Sequence, residues 1–524
     1  MSILALAICL QPSLLAQQPL DVLIVGGRII DGSGSPFFYA DVGIRGDSIA
    51  EIGSLRGRAS RLQVHAHGLT LTPGFIDIHS HALGGIDNEP AAENYIRQGV
   101  TTVIEGPDGS SPLPLKPALE KLSKTPLGIN LGFCVGHGRI RSAVMGSAQR
   151  PATAEEIEQM KTLAQQAMLD GAFGLSTGLF YVPGNYATTE EVIAIAKVVG
   201  KLGGFHISHM RDEANGVLES VRETIRIGEE GELPTQITHH KIIGKANWGK
   251  SVETLRLVEE ARARGVDVTL DQYPYTASST GLGAALIPQW AFAGGPQAWA
   301  ERLQAPQQRA RIKAEIVRRI ENERGAGDAR NIVLARCGFD PSLSGQNLAE
   351  VTRTRRKEVT MESVAETVLE IQQRGGCSAI FHAIAEADVE RILKFPYTMV
   401  ASDGGIPVFG KDHPHPRSYG AFARVLGRYV RERKLLSWEE AVRKMSALPA
   451  QRLKMWDRGM LRPGMKADVV ILDPAAIGDR ADFLRPHQYA VGVRDVLVNG
   501  RFVLKDGKMT SERPGRVLYG PARQ

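Results

Sequence analysis

GFIDIHSH (74–81) runs from a glycine through an apolar stretch into a histidine–serine–histidine triplet. Residues two apart in a strand face the same way, so His79 and His81 can address one ion. Taken alone, such a triplet is a weak signal. Three further stretches repeat its pattern: HISHMRDE (206–213) supplies His209, ITHHKIIGK (237–245) supplies His239 and Lys241, and VASDGG (400–405) supplies Asp403. Each places its chemistry where an apolar, β-branched run gives way to polar or glycine-rich sequence. Strand end followed by functional loop, repeated along one chain, describes a (β/α)8 barrel with its site on the C-terminal face.

The intervening sequence fits that architecture. TTVIEG (101–106), GINLGF (128–133), GAFGLST (171–177), PTQITHH (234–240), VDVTLDQYPY (266–275) and YTMVASD (397–403) read as strands. They alternate with helical patterns such as TTEEVIAIAKVVGKLGG (188–204) and SVETLRLVEEARARG (251–265), which close on glycine stop signals. A charged, helix-like stretch at about residues 286–350 breaks the rhythm and is expected to be an inserted subdomain. Both chain ends read instead as short, glycine-punctuated strands, for example DVLIVGGRIIDGSG (21–34) and VRDVLVNGRFVLKDGK (493–508). The expected organisation is α/β: a (β/α)8 TIM-type barrel over 73–450 and a small β-sandwich assembled from 19–72 and 451–524.

The 524 residues are 43% hydrophobic and 23% charged, ordinary for a globular chain with a large core. The net charge of +6 comes from dispersed Lys and Arg with no basic block, which argues against a nucleic-acid partner. ILALAICLQPSLLAQQP (3–19) resembles a secretory signal ending near residue 18, so export to the periplasm or beyond is expected. Pro12 and the shortness of the apolar run argue against a stable membrane span. With Cys9 removed, Cys134, Cys337 and Cys377 form a sparse, odd set, expected to be buried apolar residues rather than disulfides.

With these stretches assembled, the chain resembles the amidohydrolase superfamily, and within it the D-aminoacylase (N-acyl-D-amino-acid deacylase) family. The resemblance spans nearly the whole mature chain. It rests on LTPGFIDIHSH, GVTTV, FGLSTGLFYVPG, HISHMRDE, THHKIIGKANWGKS, DQYPYTASST, ASDGG and HPHPR, with VGGRIIDGSG and GMKADVVILD at the ends. It implies a zinc-dependent hydrolase of carbon–nitrogen bonds in linear amides, acting on small N-acyl-D-amino acids. His209 and His239 match ligands of a tightly held zinc, His79 and His81 a second and weaker metal position, and Asp403 the general acid/base. Lys241 and Arg417 match the grip on the substrate carboxylate, with Tyr273 adding a hydroxyl; Tyr181 and Ser279 lie in matching motifs as wall residues.

One departure stands out. Where the family carries a zinc-binding cysteine after GVTTV, this chain has EGPDGSS (105–111), placing Asp108 at the thiolate position with Glu105 as a competing ligand. A carboxylate is harder than a thiolate and admits other divalent metals beside zinc. AFGLSTGLFYVPG (172–184) has no lysine, which sets aside relatives built on a carboxylated lysine. A D-specific dipeptidase, another C–N hydrolase and a non-catalytic metal-binding homologue stay open as alternatives. Of the other histidines, His206 and His240 read as supporting residues, His413 and His415 as scaffold for Arg417, His382 as substrate-side or structural, and His65, His67, His137 and His487 as incidental; Asp271 reads as a partner behind the site, and Asp212 and Glu213 as supports for His209 or helix caps. Oligomeric state is left open.

Overall fold

The structure, a computed structural model, describes residues 18–523. Its body is a closed parallel barrel whose strands we number β1 (Phe75–Asp77), β2 (Val100–Glu105), β3 (Asn130–Phe133, continued by Val135–Gly136), β4 (Gly174–Gly178), β5 (Phe205–His209), β6 (Thr235–Ile237), β7 (Val268–Gln272) and β8 (Thr398–Val400). Neighbours pair in parallel from β1 round to β8. The ring closes where the Asp403 amide donates to the His79 carbonyl at 3.0 Å and the His81 amide to that of Gly404 at 2.7 Å. These strands are buried on both faces, which is why they read as continuous apolar runs instead of alternating ones. Buried Asp77 fastens the closure, accepting from the Ser402 amide at 3.0 Å and from the Ser402 hydroxyl. Burial pushes the Asp77 carboxyl up to about 7, against the pull of Ser402.

Strands from both termini form one nine-stranded sheet. Leu20–Ile29 changes parallel partner partway along, from Ser60–His65 to Thr70–Leu71, with a register shift between Ile24 and Gly27 on its antiparallel side. The sheet thereby wraps a shared core in which Val22, Ile24 and Ile44 meet Val469, Ile471 and Leu497.

Between β7 and β8 the chain leaves the barrel and builds a three-stranded antiparallel sheet, Ser278–Gly281, Ser378–Phe381 and Ile332–Arg336 in that order. Helices including Pro306–Asn322 and Met361–Gln373 pack on it around Ile316, Leu334, Val368 and Phe381. Here the structure corrects the reading of the cysteines. Cys337 and Cys377 are disulfide-bonded across a sequence separation of 40 residues. The cause is register: Arg336 pairs with Ser378, so the next residue on one strand and the preceding one on the other lie opposite. Cys134 is the free, buried thiol among the described residues. The expected signal segment lies almost wholly outside those residues, and none of their helices is long and apolar enough to cross a membrane.

Candidate metal and substrate site

The barrel's C-terminal rim gathers the residues singled out above. Donor atoms of His79, His81, Asp108 and Asp403 lie within 4.8 Å of one another, as do those of Asp108, His209 and His239. Asp108 belongs to both groups. Its Oδ1 faces His209 Nδ1 and His239 Nε2, each at 3.4 Å, while its Oδ2 faces His81 Nε2 at 3.5 Å. Glu105, the rival for that place, is turned away: its carboxylate accepts from the amides of Ala82 at 2.8 Å and Leu83 at 3.0 Å. It holds the loop after β1 and takes no part in either donor group.

Three of these positions turn out of their strands through left-handed backbone: Asp108 at φ +56°, His239 at +34° and Asp403 at +49°. Such conformations cost about 1–3 kcal/mol each and persist where the surroundings over-determine them. At His239 the fixing group is Asp271, whose Oδ1 accepts the His239 amide at 2.7 Å. At Asp108 the neighbouring loop is glycine: a Cβ on Gly178 would sit 2.0 Å from the Asp108 carbonyl oxygen.

Hydrogen bonds behind the rim decide which imidazole atom faces inward. Thr238 donates its hydroxyl to Asp271 Oδ2 at 2.7 Å, so its oxygen accepts from His79 Nδ1 at 2.5 Å. His79 Nε2 is thereby presented to Asp108 (3.7 Å) and Asp403 (3.5 Å). His239 Nδ1 lies 3.2 Å from Glu213 and 2.8 Å from Lys241 Nζ, so its Nε2 faces the centre, 2.8 Å from His209 Nδ1. Glu213 also accepts from Lys241 Nζ at 2.5 Å and lies 3.5 Å from Arg324.

This donor set suits a divalent cation. His79 Nε2 and Asp108 Oδ1 are buried with no hydrogen-bond partner, an unfavourable state for a polar atom unless something else binds it. Burial disfavours charge on His81, yet Asp108 and Asp403 outweigh it and push the imidazole up to about 9. The cluster draws positive charge, and metal binding to such a site displaces protons. For Asp403, burial opposes ionisation but Arg417 and His79 hold the carboxyl well below the usual range.

The substrate-side candidates converge on one ring. The Arg417 guanidinium lies 4.8 Å and Lys241 Nζ 5.7 Å from the Tyr273 ring centre, and the Tyr273 hydroxyl is buried without a partner. Arg417 Nη1 donates to Asp403 Oδ2 at 2.7 Å, and its backbone is set by His415, which accepts the Arg417 amide at 3.0 Å. Tyr181 donates to or accepts from Thr280 at 3.0 Å, joining the β4 loop to the excursion. A cavity of about 530 Å³ opens above both donor groups, roofed by Ser278–Gly281 and Ser378.

Other histidines are occupied elsewhere: His206 bonds Thr177 and Thr235, and His240 bonds Thr254. Asp212 caps its own turn by accepting from Ala214 and Gly216. The sequence reading missed Thr238 and Arg324. Thr238 could have been noticed beside His239; Arg324 carries no local signal, because the excursion alone returns it to Glu213.

Residues 64–504 match the model of the amidohydrolase family. The chain belongs to that family. Within it, the chain is 39% identical to the D-aminoacylase of Alcaligenes xylosoxydans xylosoxydans, over 96% of this chain and 98% of the other. Among solved amidohydrolase structures it is similar to a D-aminoacylase studied for its binuclear metal centre, with one-metal activation and second-metal attenuation (TM-score 0.82, 36% identity, 96% of this chain and 100% of the other). It is likewise similar to the N-acyl-D-glutamate deacylase of Bordetella bronchiseptica, complexed with zinc and a phosphonate mimic of the tetrahedral intermediate (TM-score 0.79, 36% identity, 96% of this chain and 100% of the other).

Proposed function

We propose that this protein hydrolyses the amide bond of N-acyl-D-amino acids, releasing a carboxylic acid and a free D-amino acid. The observation that carries this reading is the pair of donor groups joined through Asp108, set beside an Asp403–Arg417 ion pair in one cavity. The relatives supply the substrate class; the D preference rests on them.

Asp108, His209 and His239 would hold the principal metal ion, which we take to be zinc, and His79 and His81 with Asp108 and Asp403 would offer a second position. The chemistry supplied by a divalent ion bound there would be polarisation of the amide carbonyl and easier deprotonation of water. Asp403, kept ionised by Arg417, accepts the proton of the attacking water and passes it to the departing nitrogen. Arg417 offers a planar fork and Lys241 a point charge to the substrate carboxylate, with the free Tyr273 hydroxyl between them. Because Arg417 also holds Asp403, carboxylate binding and the proton carrier are linked through one side chain.

The deciding experiment measures methionine release from N-acetyl-D- and N-acetyl-L-methionine, together with metal per chain, for wild type and Asp108→Ala. Release from the D isomer, lost with the metal in the variant, is expected. No turnover, or equal turnover of both isomers, overturns the reading. Export is part of the same proposal, supported by the apolar N-terminal run and by the Cys337–Cys377 bond, which persists in oxidising compartments. Recovery of the native protein in the cytoplasmic fraction alone would contradict it.

A further inference from the structure

Four Lys and Arg side chains line the cavity, and three are already compensated. Lys241 and Arg324 share Glu213, at 2.5 and 3.5 Å, and Arg417 is held by Asp403 at 2.7 Å. Arg139 is the exception. Its guanidinium is exposed and has no hydrogen bond, ion pair or ring contact among the described residues. Its position is nevertheless fixed: the Arg139 amide donates at 3.0 Å to the carbonyl of Gly109, the residue after Asp108. Ser110 and Ser142 also line the cavity.

Arg139 follows β3, whereas Lys241, Tyr273 and Arg417 follow β6, β7 and β8. In a closed barrel of eight strands, β3 lies across the axis from β7. A bound N-acyl amino acid with its carboxylate at Tyr273 and its amide carbonyl over Asp108 therefore sends its acyl chain onward, toward Arg139. The amino-acid side chain leaves earlier, at the α-carbon, toward a roof of Ser279, Thr280 and Ser378 that carries no charge. About 530 Å³ of cavity is ample for an acyl group much longer than acetyl.

We propose that Arg139 recognises a second carboxylate at the far end of the acyl group, so that the preferred substrates are half-amides of a dicarboxylic acid with a D-amino acid. This deepens the proposed hydrolysis and rests on it. Water adds its oxygen to the acyl carbon as the C–N bond breaks, giving a dicarboxylate and the D-amino acid.

The test compares kcat/KM for N-succinyl-D-leucine, N-acetyl-D-leucine and N-acetyl-D-glutamate in wild type, Arg139→Gln and Arg139→Lys. A charge-assisted hydrogen bond predicts about a tenfold advantage for the succinyl substrate. That advantage should shrink with added salt, vanish in Arg139→Gln and partly return in Arg139→Lys, with acetyl turnover unchanged throughout. No succinyl advantage, or one that survives Arg139→Gln, overturns the proposal; so does an Arg139-dependent advantage for N-acetyl-D-glutamate alone, which would make Arg139 a reader of the side chain. Binding of the succinyl and acetyl ligands is measured in parallel by calorimetry on Asp403→Asn with and without Arg139→Gln. If no substrate is turned over, the hydrolytic reading falls; an Arg139-dependent binding difference then sustains only the recognition of an acyl-end carboxylate by Arg139, and equal binding overturns that recognition too.

Discussion

The two ends of the barrel treat an aspartate in opposite ways. At the foot, Asp468 has both oxygens satisfied: Oδ1 accepts the Asn499 amide at 2.7 Å, and Oδ2 takes the Arg458 guanidinium with Asn130 at 3.5 Å. That arrangement fastens the terminal sheet beneath β3. At the mouth, Asp108 Oδ1 faces three imidazoles at 3.4–3.7 Å and hydrogen-bonds none of them. The two aspartates differ in backbone as well: Asp108 is left-handed and Asp468 is not, the left-handed residue at the foot being its partner Asn499. A charge that stabilises is fully partnered; a charge kept for chemistry is held in place by its neighbours and left with unfilled valence.

The sharpest break in this comparison comes from Asp403→Asn. The amide keeps the shape and cannot carry the proton, so turnover should fall by about 10²- to 10⁴-fold. Metal content should remain, because Asp403 is not a member of the Asp108, His209 and His239 donor group. Normal turnover by the variant, at one metal per chain, would remove Asp403 from the mechanism.

At the foot, Arg458→Met should do the reverse. It leaves buried Asp468 without its cation, a loss of about 3–5 kcal/mol. Tm should drop by several degrees while turnover per folded molecule stays the same. A fall in turnover without a fall in Tm would mean that the foot communicates with the mouth, contrary to the division argued here.

How much of this could be read beforehand follows from what each residue needs. His79, His209, His239 and Asp403 declared themselves because each ends an apolar strand, and a parallel barrel turns strand ends into a site. The choice between Asp108 and Glu105 is open in the sequence, since Glu105 ends β2 and Asp108 follows three residues later. Tertiary structure separates them: Glu105 ties down the Ala82 and Leu83 amides, and Asp108 reaches inward through its positive φ. The Cys337–Cys377 pair was misread because antiparallel register, not spacing, brings those cysteines together. Arg324 and the shared anchor at Glu213 depend on how the excursion folds back, which no local pattern encodes.

The smallest effect tests a satisfied charge whose only cost is burial. Lys444 is fully buried beneath β8, donating to the carbonyl of Phe395 and to that of Thr398 at 3.1 Å, with Glu440 3.6 Å away. Burial pulls its ammonium down to about 8 from the ordinary 10.5, with Glu440 opposing that shift only in part. Between those values the unfolded chain binds a proton that the folded chain does not, so stability rises with pH. The slope is at most about 1.4 kcal/mol per pH unit. Below pH 8 both states are protonated and this contribution is flat. Two backbone carbonyls need only N–H donors, which the neutral amine still provides, so the rise is not offset by lost hydrogen bonds. Buried tyrosines such as Tyr95, whose hydroxyls are pushed up by burial, pull the other way only above about pH 10. The measurement is therefore the Tm difference between wild type and Lys444→Met at pH 7.5 and 9.5: wild type should gain relative to the variant as pH rises, and a constant difference would mean that Lys444 stays charged in the fold.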